Sequence, residues 1–336
     1  MKRCLLLMFA LWVSAARAES VYLRVEETGE GDTELQVAVK RFRLKGPKPV
    51  TLWLAGVAHV GTAEYFGNMQ RLLDESDVVL YEGVDGDREA FRNRDADDPA
   101  ARSALQAQLS RALGLVFQLD AIRYDREHFV NSDLSGVELL ALFGGDEPDT
   151  LTESGRKRLE ELLATMEQES PGGQIMGAML AQLEGHPQWR RGMRWALARV
   201  MGNVRGDPSE YPGLPADMRE LMRVLIHKRN DAVMEDVRTH LPELEAEDVI
   251  TVFYGAAHMP DFEKRLKEEF QAEPAGEEWL TAFGANLDRS GLNSVQKGML
   301  RWFVNRQVAA MRMLTGQTGA ATTEPDEATS ESEGVR

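Results

Sequence analysis

Residues 51–61 read TLWLAGVAHVG, and residues 251–262 read TVFYGAAHMPDF. Each is a short apolar run that ends in Gly-x-x-His and then turns helical in period. A run of this length and composition fits a strand buried on both faces. After the first copy, Tyr65, Phe66, Met69, Leu72 and Leu73 recur at helical spacing, with Thr62 placed to cap the helix. DVVLYEG, residues 77–83, returns to a short buried strand ending on Glu82. Strand, helix and strand over about thirty residues make a βαβ unit, which implies parallel strands and a right-handed crossover.

The second copy repeats that order. Its strand runs into GAAH, a helix follows in PDFEKRLKEEF with Pro260 suited to a first turn, and EEWLTAFG supplies the next strand. Residues 50–83 and 249–284 are therefore an internal duplication. The fold expected is α/β, with both halves contributing to one central sheet.

Outside the halves the pattern changes. VYLRVEE and TELQVAVKRFRL read as two strands around the Gly-rich TGEGD, with Leu35, Val37 and Val39 alternating against polar neighbours. Residues 85–215 are charge-rich, helical in period and broken by Gly and Pro, and read as a large helical insertion. Within it, Asp133 and Ser135 precede an apolar helix, and Ser135 with Glu138 has capping-box spacing, so capping accounts for both. Residues 217–241 read as one long helix with Leu221, Leu225, Val233 and Val237 on its apolar face. Residues 291–314 read as an amphipathic helix with Lys297, Arg301, Arg306 and Arg312, expected to pack on the domain rather than on a membrane surface. The tail, 316–336, is low in apolar residues and expected to be disordered.

The N-terminus MKRCLLLMFALWVSAARAES has a basic start at Lys2 and Arg3, an apolar run, and Ala16-Arg17-Ala18. That order predicts a cleaved signal peptide over residues 1–18, with a core too short to span a bilayer. The expected mature domain is 19–315, exported to a bacterial periplasm or the exterior. Cys4, the single cysteine, lies inside the signal, which excludes disulfides and a cysteine nucleophile from the mature chain. The formal charge is −16, and loss of Lys2, Arg3 and Arg17 takes 39 basic residues to 36 and the charge to −19. Such a balance argues against nucleic acid or an anionic membrane as the main partner.

In a parallel sheet, ligand sites form beyond the carboxyl ends of the strands. His59, Glu82 and His258 all fall at such ends and are expected to converge on one rim. Gly56 and Gly255 would either release the strand into a conformation closed to residues with a Cβ or let backbone approach a ligand. Two imidazoles and a carboxylate are a usual first shell for a catalytic divalent ion, and these donors suit Zn, Fe, Ni or Mn. From composition alone, Arg229 and Asn230 read as a solvated helical face. His128, His186, His227 and His240 read as surface or packing residues.

GVAHVG followed by DVVLYEG, then RND in a helix leading into VFYGAAHMPDFEKRL, resembles the TraB/PrgY/GumN family. That family is related to the Tiki proteins and, more distantly, to erythromycin esterases. FVNSDLS ahead of a helix is a further similar feature. The likeness spans about residues 50–270, with the helical middle loosely covered. It implies duplicated α/β halves, a helical insertion and a metal-dependent hydrolase site of His59, His258 and Glu82. It also implies that Arg229 matches an arginine ahead of the second motif. In an exported hydrolase of this kind Glu82 would be a ligand or the general base, Arg229 would hold a substrate carboxylate or stabilise the oxyanion, and Asn230, Gly56 and Gly255 would lie at the substrate. Mn, Co or Zn would be the cofactor and a peptide the substrate. Two other functions stay open from the same residues: a periplasmic protein that binds or sequesters a peptide uncleaved, and a metal-free, esterase-like hydrolase with a histidine base.

Overall fold

A hairpin begins the fold, with β1 (Leu23–Glu27) and β2 (Thr33–Arg43) paired antiparallel across a turn in which Gly31 has φ +78°. That left-handed conformation favours glycine. Leu35, Val37 and Val39 of β2 are completely buried, as their alternation predicts. The computed structural model describes residues 20–46, 48–83, 104–135, 138–139, 141–142, 151–166 and 171–316. The expected signal peptide, the tail after residue 316 and parts of the insertion lie outside the described residues.

The first half is β3 (Thr51–Val57), the two-residue β4 (Val60–Gly61), α1 (Ala63–Asp74) and β5 (Val78–Tyr81). Thr62 caps α1 as expected, its hydroxyl accepting the Tyr65 N–H at 3.1 Å. The insertion contains α2 (Ala104–Leu113), β6 (Val116–Phe117), α3 (Gln118–Ala121), β7 (Phe129–Asn131), α4 (Glu153–Met166), α5 (Pro171–Glu184) and α6 (Pro187–Met201). It is thus not wholly helical: β7 joins the main sheet beside β5, and β6 pairs with β4. Strands of two and three residues are too short for alternation to reveal.

The long helix is α7 (Ala216–Arg223) and α8 (Arg229–His240), joined by a π turn over Val224–Lys228. The second half follows as β8 (Val249–Gly255), α9 (Met259–Glu269) and β9 (Glu273–Ala285), and α10 (Ser294–Leu314) closes the described chain.

In the sheet, β2 holds β9 along one side and both β1 and β3 along the other, all antiparallel. From β3 the order continues β8, β5, β7, and these four strands are parallel. The two halves interleave, since β8 of the second lies between β3 and β5 of the first, but they do not match in their last strand: β5 runs parallel beside β8, whereas β9 runs antiparallel along β2. Apolar side chains cover both faces of these strands: Leu52, Leu54, Val79, Leu80, Ile250 and Phe253 are all completely buried. Each such leucine or phenylalanine contributes roughly 1.5–3 kcal/mol through burial, which is why the central strands read as continuous apolar runs.

Candidate functional site

Parallel pairing brings four strand ends level. Val57 is in register with Gly255, and Tyr81 with both Phe253 and Asn131. His59, Glu82, Asp133 and His258 follow the ends of β3, β5, β7 and β8, so each strand delivers one polar side chain to the same rim.

At the centre is an ion-pair cluster. The Arg229 guanidinium donates to Glu82 Oε1 from Nη2 at 2.8 Å and to Asp133 from Nε at 2.9 Å and Nη2 at 2.6 Å. Side-chain exposure is 9% for Arg229, 14% for Glu82 and nil for Asp133. Glu82 Oε2 accepts the Gly255 N–H at 2.8 Å. Burial pushes the Glu82 carboxyl upward, but the charge of Arg229, aided by His258, His59 and the Gly255 amide, outweighs it and holds the group well below the usual carboxylate range. Asp133 moves the other way: burial lifts it, and Glu82's charge adds to the rise against the bonds from Arg229. One cation therefore serves two carboxylates.

The two histidines are held alike. His59 Nδ1 lies 2.8 Å from Gln118 Oε1, while the Gln118 amide donates to Tyr124 Oη at 2.8 Å and its backbone N–H to His59 O at 2.8 Å. His258 Nδ1 lies 2.7 Å from Asn230 Oδ1. Asn230 Nδ2 donates to Asp261 Oδ2 at 2.8 Å and to the His258 carbonyl at 3.3 Å, both acceptors, so Oδ1 must face the ring and Nδ1 must carry the hydrogen. Burial pushes the His258 imidazolium down to about 4 against the pull of Glu82, with Arg229 and His59 adding to the fall. His258 is neutral at pH 7, with its free lone pair on Nε2. Tyr254 forms the floor, its ring edge-on to His258 at 5.2 Å between centroids and its hydroxyl donating to the Ser132 carbonyl.

Gly255 is the close-approach glycine. A Cβ there would lie 3.0 Å from His59 Nε2 and 3.3 Å from Glu82 Oε2, so the imidazole and the carboxylate both reach the same bare stretch of backbone. Gly56 lies away from that edge: its Cβ would meet Ala38 O at 3.2 Å and Val37 Cγ1 at 3.4 Å in the core. Neither glycine has a positive φ, so of the two reasons for a glycine only close approach holds, and at Gly56 what approaches is protein.

Three expectations need correction. Arg229 and Asn230 are not a solvated face: they are 8% and 0% exposed and point inward just after the π turn. Nor is the whole Arg229 guanidinium open to a substrate carboxylate, since its Nε and Nη2 are already held by Glu82 and Asp133. Asp133 does more than cap, although the Ser135–Glu138 capping box is present. It also receives the Gly83 N–H at 3.0 Å, tying β7 to the end of β5. Gln118 and Asp261 were not apparent as site residues; nothing local marks the first, and an aspartate in a first helical turn is ordinary.

The metal ligands expected from the sequence fit in chemistry and only partly in spacing. Both imidazoles offer Nε2 while Nδ1 is held by an amide oxygen, as the ring nitrogen opposite a metal usually is in ligating histidines. Among the described residues, however, the group of three whose ligand atoms lie within 4.8 Å of one another is Asp207, His227 and Asp261, not His59, Glu82 and His258. In that group His227 Nε2 already bonds Asp207 Oδ2 at 2.5 Å and Ser209 Oγ at 2.9 Å, and Asp261 is held by Arg265 at 2.7 Å. It is an ion-pair network, and His227 is a member of it rather than a packing residue.

Comparison with protein-family models, with curated proteins and with solved structures finds no match.

Proposed function

We propose that this chain is an exported, metal-dependent hydrolase acting on peptides. The observation that supports it most is that two histidines from the two halves of a duplication each present Nε2, with Nδ1 tethered, beside an ionised glutamate. The resemblance to the TraB/PrgY/GumN family points the same way. His59, His258 and Glu82 would hold the ion, and Mn, Co or Zn suits the donors. A bound divalent ion supplies a Lewis acid that polarises a scissile carbonyl and acidifies water.

The residues of the chain do the rest. Asn230 keeps the hydrogen of His258 on Nδ1, and Gln118 orients the exposed ring of His59. Arg229 keeps Glu82 ionised and fixed against Gly255, which makes it a positioning residue. A carboxyl held that low is a poor base while its arginine stays in place, which favours Glu82 as a ligand over Glu82 as a general base.

The second function, peptide capture without cleavage, draws on the spacing of the three ligand atoms. His59, Glu82 and His258 are not grouped with ligand atoms within 4.8 Å of one another, and a wider rim suits binding as well as turnover.

The deciding experiment is elemental analysis of tag-free protein beside His59→Ala and His258→Ala, followed by a peptide-library digest read by mass spectrometry. About one metal per chain and cleavage, both lost in each variant, is the expected result. Undiminished cleavage by His59→Ala or by the chelated protein would overturn the metal hydrolase, and stoichiometric recovery of intact peptide would favour capture.

A further inference from the structure

Helix α10 shows two opposite faces. Leu300 and Val304 are buried and pack with Trp195, Ala196, Leu287 and Leu292, so the helix lies on the domain as expected. On the other side Val295, Met299, Trp302, Phe303 and Met313 are 45–71% exposed. Among the described residues one further large apolar side chain is this exposed, Ile175 on α5. At 100° per residue these five fall on one arc, with Arg306 among them and its guanidinium 5.7 Å from the Trp302 ring centroid.

The charge on α10 is as one-sided as its apolar surface. Its sequence, SVQKGMLRWFVNRQVAAMRML, carries four cations and no Asp or Glu, in a chain whose net charge is −16. Lys297 and Arg301 meet Asp288 at the domain, whereas Arg306 and Arg312 are exposed and form no ion pair among the described residues. An exposed aromatic and methionine stripe with an arginine in its centre matches the interface between lipid headgroups and acyl chains. A symmetric pairing of two α10 helices would set Arg306 and Arg312 of one copy against those of the other, which disfavours a second copy. The acidic stretch after residue 316 has charge to meet the arginines but no aromatic or long aliphatic side chain to cover the stripe. No helix among the described residues is long and apolar enough to cross a membrane.

We infer that α10 docks the protein on an anionic lipid surface, inserting the Trp302–Phe303 edge while Arg306 and Arg312 meet the headgroups. The acidic remainder is repelled by the same surface, which restricts contact to this helix and orients the domain. This is a local exception to the charge argument against anionic membranes.

The test is flotation of the chain lacking residues 1–18 with vesicles of equal phosphatidylglycerol and phosphatidylcholine, or of phosphatidylcholine alone. Flotation with the anionic vesicles is expected, with a blue shift of tryptophan emission and weakening by salt. Trp302→Glu with Phe303→Glu, and separately Arg306→Glu with Arg312→Glu, should each weaken binding about tenfold or more. Ile175→Glu should float like the wild type, and circular dichroism should be unchanged in all three. Absence of flotation, equal flotation by all variants, or a concentration-dependent dimer abolished by Trp302→Glu would overturn the inference, the last by assigning the face to a second copy.

Discussion

His258 Nδ1 lies 2.7 Å from Asn230 Oδ1, and the bond can run only from ring to amide because Asn230 donates on its other side to Asp261. The helix before β8 thereby fixes the tautomer of a histidine after it. Asn230→Ala should leave the Nδ1 hydrogen without its acceptor and cost about 1–3 kcal/mol of stability. Metal affinity should fall about 10–100-fold, measured by calorimetric titration with Mn or Zn. Unchanged affinity would remove Asn230 from the site.

Arg229→Met should be the most disruptive substitution at the rim, because it leaves the largely buried Glu82 and Asp133 together without a cation. Breaking a buried pair in this way costs about 3–5 kcal/mol. Urea unfolding at pH 7 measures the loss. At lower pH the variant should recover part of it, as one carboxylate takes up a proton, and adding Asp133→Asn should restore stability at pH 7.

The buried His258 also sets a pH dependence in chelated protein. Its folded value of about 4 lies below the ordinary 6.5, so the unfolded chain binds the proton more readily between those limits. Stability is full above about pH 6.5, declines as pH falls towards 4, and loses at most about 3 kcal/mol from this group. Glu82, also held low, contributes stability above the ordinary carboxylate range and loses it only at more acidic pH. His258→Gln should flatten the denaturation midpoint between pH 6.5 and 4; an unaltered slope would sink the assignment.

The two motif glycines should separate site from core. Gly255→Ala crowds His59 Nε2 at 3.0 Å and Glu82 Oε2 at 3.3 Å; the exposed His59 ring can give way, and the tethered carboxylate need shift only slightly. It should keep most stability and lose metal or peptide binding. Gly56→Ala instead presses on the Ala38 carbonyl and Val37. It should cost about 1–3 kcal/mol in thermal unfolding, with little change in binding per folded molecule.

Much of this arrangement was legible in the chain. The apolar runs around residues 51–57 and 249–255 betray buried strands because burial on both faces demands an unbroken apolar run. Strand-end positions then suffice to nominate His59, Glu82 and His258. β7 escaped notice because three residues cannot display a period, and Asp133 escaped with it, since a Ser-x-x-Glu cap explained the same stretch. Arg229 and Asn230 looked like solvent-facing helix because charge and amide on a helix usually are.

The sequence by itself determined the duplicated halves, the capped helices and the residues offered at each strand end, all properties of neighbouring residues and their periodicity. Only the tertiary structure decided that β8 enters between β3 and β5, and with that, which polar groups meet. Arg229 reaches Glu82 across 147 positions and Asp133 across 96, and His59 reaches Gln118 across 59. Such partners carry no local signature. They are selected when burial strips water from a charge or an amide and a hydrogen-bonding group must be supplied from wherever the fold brings one.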